Sequence, residues 1–125
     1  MEENFSGFEY PEEKVAPDYY PLDIEGASEK VWQILNDHPL TRDSDKLLWL
    51  AYLQFYCGAG EKVTSWLTFK KFLLQEEVLQ MATIIRCRAK IQERGYFWGT
   101  NKAKRRALAE RYRAFMGASK SEADQ

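Results

Sequence analysis

Apolar positions recur at helical spacing in five stretches of this chain. Val31, Ile34 and Leu35 form an i, i+3, i+4 stripe behind Ser28, a residue with N-cap chemistry. That helix must stop near Asp37 or His38, because Pro39 disfavours helical geometry in the residue before it. His38, the single histidine, therefore sits at a helix C-terminus, where a dipole partner is expected rather than a catalyst. Thr41-Arg42-Asp43-Ser44-Asp45 offers several caps for a second helix from Ser44 to Cys57. Its Leu47–Tyr56 stretch is apolar nearly all the way round, which predicts a central helix with neighbours on several sides. Gly58 and Gly60 end it in a turn.

Thr64 or Ser65 caps a third helix through Trp66, Leu67, Phe69, Phe72 and Leu73. A break is expected within Gln75–Gln80, although no glycine or proline marks it. A single helix from Ser65 to Arg94 would be long for a globular domain. A fourth helix runs from Met81 to Arg94 and stops at Gly95. Tyr96-Phe97-Trp98 follows as a short extended element, or as a plug under the last helix. Thr100 or Asn101 caps that last helix, which carries Leu108, Tyr112 and Phe115 at helical spacing. The pattern predicts an all-α domain over residues 27–116, a compact bundle of four to five helices. Residues 1–26 have no regular period and form an irregular acidic arm, and residues 117–125 a disordered tail. Tyr19-Tyr20-Pro21-Leu22 is the stretch suited to pinning the arm to the domain.

The Met81 helix separates its residues by phase. At about 100° per residue, Met81, Ile84, Ile85 and Ile91 share one face, while Thr83, Arg86, Lys90 and Arg94 share the other. Arg88 falls in the middle of the apolar side. A charge there must be paired or reach out along its own aliphatic stem. Asp43, Asp45 and Glu76 are the candidate partners, and Asp45 is favoured because it starts the second helix. Arg88–Asp45 is thus expected as a structural ion pair.

Charge sharpens the picture. The overall balance is −1, yet residues 1–25 hold eight acids against one base, net −7, and residues 86–115 hold ten bases against two acids, net +8. A basic C-terminal half suits a phosphate-bearing partner, and the acidic arm suits shielding it or meeting another protein. Two lone cysteines, Cys57 and Cys87, fit free thiols in a reducing cytoplasm, and one histidine gives little to build a zinc site from. No secretory signal and no apolar run near the roughly 20 residues of a membrane span are visible, so no membrane partner is expected. There is no phosphate loop, no GxSxG, no HExxH and no activated nucleophile. No catalytic residue and no cofactor is expected.

A helix, a turn and a basic amphipathic helix follow the order of a helix-turn-helix. In that arrangement, or a winged-helix-like one, Thr83, Arg86, Lys90 and Arg94 face duplex DNA, and Lys102, Lys104, Arg105 and Arg106 add phosphate contacts. The alternative partner is a host or phage protein met through the acidic arm, an inhibitor of host defence being one case of it. Neither reading specifies an oligomeric state.

The runs TRDSDKLLWLAYL, ATIIRCRAKIQERG and RALAERYRAF resemble small uncharacterised proteins encoded by phages and prophages of Firmicutes. Thr83, Ile84, Arg86, Arg88, Lys90, Ile91 and Gln92 carry the match; Ala82 replaces an acid and Ala89 an arginine. The resemblance covers residues 28–115, without the acidic arm. It implies a phage origin, a bacterial host cytoplasm and a helix-turn-helix-like domain, with no activity attached.

Overall fold

A computed structural model describes residues 11–17 and 26–123, with side chains as far as residue 117. Among these residues all regular structure is helical. The order is α1 Ala27–Asp37, a 3-10 turn Pro39–Arg42, α2 Asp45–Cys57, α3 Ala59–Lys62, α4 Trp66–Leu73, α5 Met81–Glu93 and α6 Lys102–Ala123. No helix among them is long and apolar enough to cross a membrane.

The element borders follow local chemistry, with three departures from the sequence pattern. Ser44 caps α2 by accepting from the Leu47 amide at 3.2 Å, and Ser65 caps α4 in a reciprocal box with Thr68. Gly58 ends α2 in the left-handed region, φ 73°, which glycine adopts without a Cβ penalty. The first departure is at α1. It begins one residue ahead of Ser28, because Gly26 at φ 63° takes the N-cap position with no side-chain cap. Next, α3 adds a single turn closed by the Val63 amide on the Ala59 carbonyl, 3.0 Å, so Gly60 lies in a helix rather than a plain turn. This makes one helix more than the four to five expected. Lastly, α6 continues through Gly117 to Ala123, past the end expected near Phe115. Alanine, lysine and glutamate there favour helix, against the roughly 1 kcal/mol that one interior glycine costs.

The break between α4 and α5 is held from α2. Tyr52 donates its hydroxyl to the Glu77 carbonyl at 2.9 Å, and Trp49 donates its indole N–H to the Leu79 carbonyl at 3.0 Å. Burial, followed by its contact with Cys57, pushes the Tyr52 phenol up to about 12. Both cysteines are free, Cys57 buried and Cys87 half-buried.

α2 has neighbours on several sides, as expected: α1, α5, the 3-10 turn and α3. α5 is equally central, with α1, α2 and α6 packed against it. Ile84 and Ile91 of α5 meet Val31 and Leu35 of α1 and Leu48 and Tyr52 of α2 in one apolar core. α2 is buried on the side facing α1 and α5, which leaves Leu47, Leu50 and Phe55 exposed on its far side. The expected neighbours on several sides are present, but among the described residues they do not close round the whole helix.

Tyr96, Phe97 and Trp98 are buried in irregular backbone and close the end of the core. Phe97 packs edge-on against Trp32, centroids 4.7 Å apart, and holds a left-handed φ of 58°. That conformation is rare for a bulky side chain and is kept here by burial against the Trp32 ring. Trp98 meets Tyr112 of α6 edge-on at 6.2 Å. The segment 11–17 crosses this end without regular structure. Its Lys14 amide donates to the Gly95 carbonyl at 2.7 Å, and the Lys14 ammonium lies 5.2 Å from both the Tyr96 and Tyr112 rings. Residues 1–10 and 18–25, including Tyr19-Tyr20-Pro21-Leu22, lie outside the described residues.

Candidate nucleic-acid interface

The rotation of α5 decides which of its cations meet solvent, and two side chains one turn apart set that rotation. Arg88 is buried, donates to the Thr41 carbonyl at 3.1 Å and pairs with the Asp45 carboxylate. Gln92 is also buried and donates one amide nitrogen to the carbonyls of Arg42, 3.0 Å, and Phe97, 2.9 Å. Its backbone carbonyl accepts the Trp98 indole N–H at 2.8 Å. Together they tie α5 to the 3-10 turn, the start of α2 and the aromatic plug. Unpaired, each of these buried polar groups would cost about 1–3 kcal/mol.

With that face anchored, the opposite edge is open. Arg86 and Lys90 are exposed and have no ion-pair partner among the described residues. Thr83 is half-buried beside them. Arg94 is half-buried too, its guanidinium 5.1 Å from the centre of the Phe115 ring of α6. That stacking orients the charge without neutralising it.

α6 divides its own basic residues between two sides. Lys104 donates its ammonium to the Asp43 carbonyl at 2.5 Å, and Arg111 pairs with Glu93 of α5 at 3.4 Å. These contacts turn Lys104 and Arg111 toward α5. Lys102 and Arg106 are exposed, and helical phase places them about half a turn away from Lys104 and Arg111. Arg106 lines a cleft of about 700 Å³ beside the 11–17 segment. Arg105 points into the fold: it donates to the Gly99 carbonyl at 2.6 Å and pairs with Glu13 at 3.0 Å. The candidate cations are therefore not one surface. Thr83, Arg86, Lys90 and Arg94 share the outer side of α5, and Lys104 lies with Arg111 in the cleft beside Arg88 and Gln92. Lys102 and Arg106 lie on another side of α6, and Arg105 is held by Glu13 and the Gly99 carbonyl.

Two contributors escaped the sequence pattern. Arg111 belongs to the α5 side of α6, although its spacing marks it only as polar surface. Asp43 fits a cap for α2 by position, yet its carboxylate accepts from the amides of Thr100, 2.7 Å, and Asn101, 3.2 Å, at the start of α6. A negative charge there answers the exposed amides and the helix dipole. A Cβ at Gly99 would overlap that carboxylate, so the close approach requires glycine. No signal in the sequence links positions 43 and 99–101, because the relation is purely spatial.

Among the described residues, no group of three or more His, Cys, Asp or Glu side chains is placed to hold a metal. No family model, no curated protein and no solved structure matches this chain.

Proposed function

We propose that this is a non-enzymatic, phage- or prophage-encoded regulatory protein that binds duplex DNA in the bacterial cytoplasm. In this reading, α4, the connection Leu74–Gln80 and α5 act as a variant helix-turn-helix, with α5 as the reading helix. The observation that carries it is the Arg86–Lys90 pair: two exposed cations without ion-pair partners among the described residues, one turn apart on a helix anchored from behind. A preset stripe of this kind meets phosphates with little ordering cost. Thr83 lies one turn ahead of it, at the end of α5 where base edges are read in such motifs. Arg94 extends the same side of α5 toward Phe115 of α6. The connection has seven residues, against three to four in the usual motif, so α5 enters the groove at its own angle.

Duplex affinity measured from about 50 to 200 mM salt tests the proposal, since several phosphate contacts cost orders of magnitude over that range. Arg86→Ala with Lys90→Ala is expected to flatten the salt slope by about two contacts, whereas Lys102→Ala with Arg106→Ala changes it less. No binding at the lowest salt, even after removal of residues 1–17, would sink this function. Tighter binding after that removal identifies the acidic arm as an internal competitor for the basic edge.

A protein partner is the second reading. Glu13 and Lys14 already hold part of the arm against α6 and the plug, and an exposed apolar groove across α2 favours a protein over a nucleic acid on that side.

A further inference from the structure

The far side of α2 is the one large apolar surface that the described fold leaves without a cover. A groove of about 550 Å³ runs between α2, the 3-10 turn, α3 and α4. Apart from Thr41 and Gln54 its walls are hydrocarbon and aromatic ring, and no acidic or basic side chain other than His38 lines it. The His38 ring itself lies flat on Phe55, centroids 4.8 Å apart, and extends the apolar rim. Trp66 continues the surface beyond the groove through its contact with Phe69, 5.5 Å between centroids.

We propose that this surface is the interface of a homodimer, with a second copy of the chain as its occupant. Area is the first argument. Leu40, Leu47, Leu50, Phe55 and Trp66 are between 44% and 78% exposed. At roughly 150–250 Å² per large side chain, they present on the order of 600 Å², most of the ~800 Å² that one partner gives a standard interface. Patches of that size are seldom left open on soluble monomers.

The second argument is charge. A two-fold contact sets a surface against its own copy, so any net charge on it meets the same charge. A groove without lysine, arginine, aspartate or glutamate has no such penalty, and a charged peptide would find no counter-ion in it. The third is location. α2 stands between this groove and α5, so dimerisation through it leaves Arg86 and Lys90 uncovered. The dimer is therefore independent of whether those residues bind DNA.

Sedimentation of the full chain without nucleic acid, from low micromolar to several hundred micromolar, tests this. The wild type is expected to sediment as a concentration-dependent dimer. Leu50→Glu and, separately, Phe55→Lys are expected to raise the dissociation constant at least about tenfold. Both residues are exposed, so helical circular dichroism and the thermal midpoint extrapolated to low concentration should stay at the wild-type values. A wild type that remains monomeric throughout, or charged variants that dimerise as tightly as it does, overturns the proposal. So does a monomer whose tryptophan fluorescence responds to a peptide of residues 1–10 in the wild type but not in Trp66→Phe, which would assign the groove to the chain's own N-terminus.

Discussion

α2 and α5 are both 13 residues long and lie side by side, and both are met by several neighbours although their compositions differ sharply. α2 is the more apolar segment, yet one whole side of it faces outward. α5 carries three bases between Arg86 and Lys90 and is nonetheless the helix on which α1, α2 and α6 converge. Centrality is decided by which neighbours reach a helix, not by how much apolar surface it offers. α5 gains its place through two polar side chains, Arg88 and Gln92, that satisfy carbonyls of the 3-10 turn and the plug. α2 meets its neighbours with one side and leaves Leu47, Leu50 and Phe55 exposed on the other.

The sharpest way to break this comparison is to truncate the two sides of α2. Leu48→Ala, on the buried side, is expected to cost about 3 kcal/mol, the range for a buried leucine that leaves a cavity. Leu50→Ala, on the open side, should stay within about 0.5 kcal/mol in the monomer. Equal losses in chemical denaturation would mean that both sides are packed. On α5, Arg88→Ala is expected to cost about 2 kcal/mol and lower the thermal midpoint by several degrees, since a charged double hydrogen bond is lost. An unchanged midpoint would show that Arg88 does not anchor the helix.

Alkaline titration probes the contact between α2 and the α4–α5 connection. The Tyr52 phenol is raised to about 12 from an ordinary 10.0. Its contribution to stability is complete below pH 10 and is lost as pH rises toward 12, because the unfolded chain releases the proton first. Tyr52→Phe should remove the steepening of the stability curve above pH 10; an identical curve would place that steepening elsewhere. The smallest effect is expected at Arg86→Ala, within about 0.5 kcal/mol in stability, while its effect on duplex affinity is the readout that counts. Loss of fold there would mean that the outer edge of α5 is not free surface.

Much of this was legible before any coordinates. The i, i+3, i+4 stripe of α1, the Ser44 and Ser65 caps and the stop at Gly95 depend on neighbours within a turn or two. So does the phase of α5, which alone separates Arg88 from Arg86 and Lys90. These are local relations, and local geometry is written into residue spacing. The candidate interface was legible only as a collection of cations. It took the turns of α6, set by Lys104 on Asp43 and Arg111 on Glu93, to divide that collection into separate sides.

The amino-acid sequence by itself determined the all-helical character, the positions of five helices and the inward turn of Arg88, because helix propensity, capping and phase act over a few residues. Only the tertiary structure decided that α5, despite its charges, is packed by α1, α2 and α6, and that α2 is open on one side. It also decided that Asp43 caps a helix more than fifty residues away, and that the α4–α5 break is held by Tyr52 and Trp49. Each of these rests on a contact between distant segments. Such contacts form where the whole chain leaves a buried carbonyl or amide to be satisfied, and spacing along the chain carries no record of them.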